Sequence, residues 1–186
     1  MNILAILGSP RRGGNCEKLL DQAIKSQKSQ VKSHKLKVTS CKKIILNELN
    51  FRPCQACEEI NQDGTCKIQD DFKIIEKAVF EADIIILASP IYFGSISAQT
   101  KMMIDRFQCL WRAKEKGQVV PPLYHIIMLR DPVCGTRAKG QKKGFFICVQ
   151  AGNRTDFFDN ARAIVKNFFA TIGASYEKEL LVPNRE

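Results

Sequence analysis

Asn2-Ile3-Leu4-Ala5-Ile6-Leu7-Gly8-Ser9-Pro10-Arg11-Arg12-Gly13-Gly14-Asn15-Cys16-Glu17-Lys18-Leu19-Leu20 decides the fold. Ile3 to Leu7 is an unbroken apolar run, as expected of a strand buried on both faces of a parallel sheet. Gly8 to Asn15 then concentrates glycine, proline, serine and asparagine, which is dense turn punctuation. Beyond it Leu19, Leu20, Ala23 and Ile24 recur at helical spacing, so a helix is predicted from about Asn15. A strand passing through a glycine-rich loop into a helix start points backbone N–H groups and the positive end of a helix dipole at one place. Such a place attracts phosphate.

Two phosphate loops are excluded. A Walker loop ends in Gly-Lys-Ser/Thr, whereas Asn15 and Cys16 follow these glycines. The dinucleotide fingerprint needs glycine at its third position, where Pro10 stands. What is left is the Ser9 hydroxyl, the Arg11 or Arg12 guanidinium, the Asn15 amide and several N–H groups, a donor set suited to a single terminal phosphate. The plainer reading, a βα turn with an asparagine N-cap, stays open on this stretch alone.

At 186 residues the chain fits one domain able to bury a full core. An apolar share of 45% and a charged share of 26% describe a water-soluble globular composition. No apolar run approaches the roughly 20 residues of a membrane helix. Met1 leads straight into a strand with no signal peptide, and eight cysteines without such a signal read as thiols, metal ligands or redox groups in a reducing cytoplasm. The net charge of +10 reads first as a solvated face. It also allows attraction of anionic cofactors, while no nucleic-acid-binding signature accompanies it.

Further strands are predicted within Lys42–Leu49, at Asp83–Ser89 with its four-residue apolar run Ile84-Ile85-Ile86-Leu87, at Phe145–Val149 and at Glu179–Val182. Helices are predicted after the Asp70-Asp71 N-cap, from about Ser97 to Lys114, and from Phe158 to Ile172. Strands alternating with helices specify an α/β fold, a doubly wound parallel sheet of five strands with helices on both faces. Ligands of such sheets sit at the carboxyl ends of strands beside the topological switch point. Three loops leave carboxyl ends with ligand-like chemistry: Gly8 to Cys16, Ser89 to Ser95, and Gln150 to Asn153. The second, with Tyr92, Phe93 and Gly94, suits a flat aromatic ring. Together the loops fit a mononucleotide.

At these residues the sequence resembles the NAD(P)H-dependent FMN reductase group of the flavodoxin-like superfamily, including its iron–sulfur flavoprotein branch. Gly8-Ser9-Pro10-Arg11 with Asn15 and Cys16 is similar to the family's FMN-phosphate loop. Ser89-Pro90-Ile91-Tyr92-Phe93-Gly94-Ser95 is similar to its isoalloxazine loop, and Lys101 through Asp105-Arg106 to the helix after it. The resemblance spans Asn2 to about Tyr176, apart from Glu115 to Gly140. It implies strand order 2-1-3-4-5 and FMN held by Ser9, Arg11, Asn15, Cys16, Ser89, Pro90, Ile91, Tyr92, Phe93, Gly94, Ala151 and Gly152. NADH or NADPH would be the co-substrate, and a free flavin, quinone, azo compound or metal ion the electron acceptor. No side-chain acid or base is required, so no catalytic residue is named. A homodimer or larger assembly is implied as well.

Three departures qualify the resemblance. Cys16 stands where the family usually has a hydroxyl, and a thiol is a weaker donor. Residues 115–140 form an insertion within the single domain, read as a lid or partner surface. The chain ends at Glu186, directly after the fifth strand, where the fold normally adds a helix. Either a partner covers the face this leaves bare, or the sequence is shortened.

Cys54, Cys57 and Cys66 match three positions of the iron–sulfur branch's motif, but the remaining ligand would fall at Ile60, which binds no metal. Cys41 or His34 could complete a site only by folding back. On ligand count the reading is no metal, with reduced thiols lining the flavin edge. Cys109 and Cys148 read as small core residues, Asp105 and Arg106 as an ion pair or helix-surface contact, His125 as an exposed loop residue. Trp111 with Phe107 and Met103 reads as core or dimer interface. The rivals to an FMN-dependent oxidoreductase are an iron–sulfur electron carrier using Cys54, Cys57 and Cys66, and a non-enzymatic flavodoxin-like binding protein.

Overall fold

The computed structural model describes residues 1–33, 37–58, 61, 64–116 and 142–184. Along the chain they form β1 (Asn2–Leu7), α1 (Asn15–Ser33), β2 (Ser40–Ile45), a 3₁₀ turn (Leu46–Glu48), α2 (Phe72–Glu81), β3 (Ile84–Tyr92), β4 (Ser95–Ile96), α3 (Ala98–Asp105), α4 (Gln108–Glu115), β5 (Lys142–Val149), α5 (Asp156–Thr171) and β6 (Ala174–Val182). The main sheet runs β2-β1-β3-β5-β6, every pairing parallel, with β4 folding back on β3 as a short hairpin. Leaving out that hairpin strand, this is the 2-1-3-4-5 order expected of a flavodoxin-like sheet.

The two apolar runs that announce the fold are its centre. Ile3 to Leu7 and Ile84 to Ala88 are almost wholly buried and lie side by side, Ile3 opposite Ile84 and Leu7 opposite Ala88. Alternate residues feed two layers. Leu4, Ile6, Ile85 and Leu87 join α2 to α5 in one, where Phe72, Phe107, Phe168 and Phe169 stack in tilted and edge-on pairs. Ile3, Ala5, Leu7, Ile84 and Ile86 meet Leu20, Ile24 and Val31 of α1 in the other. Beside α1 a cavity of about 250 Å³ opens between Gln27, Gln30, Phe145 and Lys178.

Three expectations change. The single helix from Ser97 to Lys114 is two helices, because the backbone tightens at Arg106 and Phe107: Arg106 N–H is shared between the Met102 and Met103 carbonyls, and Phe107 N–H reaches Ile104. The break sinks both side chains, Arg106 to 1% exposure. Arg106 is therefore not a helix-surface residue, nor is Asp105 its partner. Its guanidinium forks onto Asp70 at 2.8 and 3.1 Å, while Asp105 pairs with Lys101 one turn back. β5 begins at Lys142 rather than Phe145, and β6 at Ala174 rather than Glu179. The buried Lys142 ammonium donates to the Val79, Phe80 and Ala82 carbonyls, capping the C-terminus of α2.

Candidate functional site

The switch point of the sheet lies between β1 and β3, and the loops leaving their carboxyl ends are joined by buried hydroxyls. Gly8 N–H donates to the Ala88 carbonyl at 2.7 Å, and Ser97 Oγ donates to the Gly8 carbonyl at 2.6 Å. Ser97 Oγ also lies 2.8 Å from Thr100 Oγ1 and accepts the Thr100 N–H, so it is at once the N-cap of α3 and the tie to the first loop. Ser89 Oγ accepts from Ser97 N–H at 3.0 Å and from Thr100 Oγ1 at 3.3 Å. Ser89, Ser97 and Thr100 are all fully buried. A side chain at position 8 would place its Cβ 1.8 Å from Thr100 Oγ1, so glycine is required by close approach alone.

The first loop offers what a phosphate needs. Ser9 is buried and its Oγ accepts the Arg11 N–H at 3.2 Å, fixing the turn. Gly13 turns the chain at φ +68, and its N–H is held by the Glu17 carboxylate at 2.6 Å. Glu17 in turn meets Lys43 at 2.8 Å and Arg12 at 3.2 Å, and Arg12 also contacts Glu48. The Lys43 hydrogen bond and the Gly13 N–H keep the Glu17 carboxyl below its usual range. Arg12 is thus committed to the scaffold. Arg11 is exposed and, among the described residues, carries no ion pair on its guanidinium, which leaves it the cation at the loop mouth. Asn15 opens α1. Cys16 does not offer its thiol: the side chain is packed into the α1 layer and burial pushes it up to about 12. Its backbone N–H, in the first turn of α1, is what the loop gains there.

The second loop is a tight hairpin. Tyr92 pairs with Ser95 across Phe93-Gly94, and both turn residues have positive φ, +50 and +73. Two-residue turns of this hand suit asparagine or glycine, so a phenylalanine there is strained. Phe93 is fully exposed and Tyr92 half exposed, while Ser89 and Pro90 are buried and Ile91 is half-buried. The hairpin is braced by Asn160, whose amide donates to the Gly94 carbonyl at 2.9 Å, and by Phe157, whose ring lies 3.0 Å from where a Cβ on Gly94 would sit. In the third loop Ala151 and Gly152 are exposed. Gln150 is buried; its amide nitrogen donates to the Gly152 and Arg154 carbonyls at 2.8 Å, and among the described residues its Oε1 has no partner.

The three loops therefore share one edge, since Leu7 pairs with Ala88 and Pro90 with Val149. Sequence reasoning missed Ser97, Thr100, Phe157 and Asn160. The Ser-x-x-Thr spacing at the start of α3 was the available signal for the first two. The cysteines lie elsewhere. Cys54, Cys57 and Cys66 line a cavity of about 30 Å³ with Cys109, Arg106 and Arg112, and no residue of the three loops borders it. Among the described residues they stand apart from the loops expected to hold the flavin, and Cys109, half-buried, is not a plain core residue like the fully buried Cys148. Cys41 stands exposed on β2. His34, Ile60 and His125, and nearly all of the 115–140 insertion, lie outside the described residues.

A doubly wound sheet with an anion-ready loop at its switch point defines a flavodoxin-like mononucleotide-binding protein. More particularly, the chain belongs to the NADPH-dependent FMN reductase family, whose model matches residues 1–122. It is 38% identical to an iron–sulfur flavoprotein of Methanocaldococcus jannaschii over 106 residues, covering 57% of this chain and 51% of that one. It is 34% identical to an iron–sulfur flavoprotein of Methanosarcina thermophila, over 60% and 55%. The chain thus spans about half the length of the curated relatives it matches. Among solved structures, an azoreductase of Bacillus anthracis superposes with a TM-score of 0.62 at 16% identity, over 99% of this chain and 87% of that one.

Proposed function

We propose that the chain forms a single FMN-binding domain of an NAD(P)H-dependent oxidoreductase. The observation that carries this reading is the buried Ser89–Ser97–Thr100 cluster, which locks the anion-ready loop to the aromatic hairpin at one edge of the sheet. Arg11, Ser9 and the first-turn N–H groups of α1, from Asn15 and Cys16, would hold the phosphate. Ser89 to Gly94 and Ala151–Gly152 would border the ring, with Tyr92 and Phe93 as its apolar walls. The unpartnered Gln150 Oε1 is a buried acceptor at that edge, and a ring N–H such as isoalloxazine carries is the donor it lacks. When bound, FMN supplies hydride and electron transfer between a nicotinamide and a second acceptor. The protein's own part is to fix the ring and phosphate while leaving the loop mouth open to free flavin, a quinone, an azo compound or a metal ion.

The reading extends to a homodimer or larger assembly in the cytoplasm. In its support, a groove of about 680 Å³ between α3–α4 and α5 is lined by Ile104, Phe107, Phe168 and the half-exposed Trp111. No helix among the described residues is long and apolar enough to cross a membrane. Titrating cofactor-free protein tests the central point. Stoichiometric FMN uptake with NAD(P)H-dependent bleaching is expected, and uptake of FAD in its place, or of no flavin, overturns it. Light scattering at micromolar concentration tests the assembly, and a monomer there removes that part.

A further inference from the structure

The Phe93-Gly94 turn is strained, and what holds it lies on another element. A Phe-Gly pair suits a turn in which the glycine alone takes positive φ. Here Phe93 takes it as well, at +50 beside +73 for Gly94, a conformation that its Cβ resists. Burial of its own ring does not compensate, because Phe93 is fully exposed. The holding contacts come from α5. Asn160 donates its side-chain amide to the Gly94 carbonyl at 2.9 Å. The Phe157 ring lies so close to Gly94 that a Cβ there would sit 3.0 Å from it. Residues 157 and 160 are three apart on one helix and so share a face. Behind them Phe158, Ala161 and Val165 are buried in the core, which fixes α5 to the sheet.

The brace is itself tied to the third loop. The Arg154 guanidinium stands 4.4 Å from the Phe157 ring centroid and is steadied by Asp156 at 2.6 and 3.1 Å. The Arg154 carbonyl in turn accepts the buried Gln150 amide at 2.8 Å. Phe157 is thus held between the third loop and the hairpin. Backbone strain persists only where the surrounding structure over-determines it, and it concentrates at functional sites.

We infer that Asn160 and Phe157 are positioning residues, a role that rests on the flavin reading and acts through the hairpin. From α5 they keep the Phe93-Gly94 turn left-handed, and so set the angle at which Tyr92 and Phe93 wall the ring. A trans peptide whose carbonyl is anchored cannot turn over without breaking that bond. Asn160 anchors the Gly94–Ser95 peptide in this way, and Phe157 fills the space into which Gly94 would move. Without them Phe93 relaxes to the negative φ it prefers and the two walls swing. Ser9, Arg11 and the first turn of α1 stay as they are. Loss of the brace therefore slows reduction of a bound flavin much more than it weakens binding.

The test is Asn160→Asp in the full chain, which keeps the side chain's shape but sets a carboxylate against the Gly94 carbonyl. Asn160→Ala serves if that variant does not fold. In cofactor-free protein, NMR couplings report the Phe93 φ, expected positive in the wild type and negative in the variant. With FMN bound, NADPH-driven bleaching should slow about tenfold, within what a small misplacement of reacting groups costs. The flavin absorbance band should shift, while the FMN dissociation constant rises less than about threefold, since the phosphate contacts are untouched. In a Phe93→Asn background the turn needs no brace, and the same substitution should change the bleaching rate less than about twofold. A positive Phe93 φ kept in Asn160→Asp, or an equal slowing in both backgrounds, overturns the proposal. FMN uptake with wild-type bleaching in Asn160→Asp overturns it and leaves the flavin reading intact. Failure of the wild type to take up FMN overturns both.

Discussion

Ser97 Oγ donates a 2.6 Å hydrogen bond to the carbonyl of Gly8, a residue 89 positions earlier in the chain. Through this bond the cap of α3 and the turn after β1 are one piece of structure. A hydroxyl that satisfies a helix N-terminus and a distant carbonyl at once has no apolar substitute.

Ser97→Ala should therefore cost about 1–3 kcal/mol of stability, since it orphans the buried Gly8 carbonyl and uncaps α3. FMN affinity should fall with it, because both ligand loops lose their common tie. Urea unfolding and flavin titration on the same sample check this. A variant of wild-type stability would mean that Thr100 alone suffices as the tie.

Arg11→Ala should weaken FMN binding by roughly 1.5–3 kcal/mol, the range for losing a charge-assisted bond. Arg12→Ala should act chiefly on stability and much less on affinity, because Arg12 is already engaged by Glu17 and Glu48. Paired fluorescence titrations decide it. Equal losses from the two would show that Arg12 leaves its partners for the phosphate.

Phe93→Asn should raise stability by about 1 kcal/mol, since asparagine before Gly94 suits the turn that phenylalanine strains. It should also lower flavin affinity by about two- to tenfold, the worth of one aromatic contact. Thermal unfolding without cofactor, set against titration with it, separates these effects. Higher stability with unchanged affinity would place Phe93 outside the flavin contact.

Asp70 makes stability depend on acid. Burial would raise its carboxyl, but the Arg106 fork and the Arg52 and Phe72 N–H groups hold it below the usual carboxylate value. A group lowered on folding contributes stability that is complete above its unfolded value near 4 and is lost as pH falls through the folded one. Asp70→Asn should thus be weaker than wild type at pH 7, with the gap narrowing steadily below pH 4. Denaturant midpoints across that range check it, and a constant gap would assign the difference to packing. Removing the other partner, in Arg106→Met, should cost about 3–5 kcal/mol.

Much of this was legible because apolar runs and turn punctuation are local signals. Ile3–Leu7 and Ile84–Leu87 announce central strands, and Gly8 to Asn15 announces the loop between β1 and α1. The rest depends on partners distant in sequence. Arg106 in an apolar stripe reads as a surface charge until Asp70, 36 residues away, is brought beneath it. Glu177, Lys178 and Glu179 look unlike a strand because β6 lies at the edge of the sheet with these side chains exposed. Cys109 reads as core because nothing near it in the chain hints at the cavity it lines together with Cys54, Cys57 and Cys66.

Lys142 fixes more than the end of a helix. The chain that leaves α4 at Glu115 must re-enter the sheet at β5, and the ammonium clamped on the Val79, Phe80 and Ala82 carbonyls defines where it lands. With that landing point pinned, the register of β5 against β3 is fixed as well, and with it the height at which the third loop stands beside Pro90 at the edge where the flavin would sit.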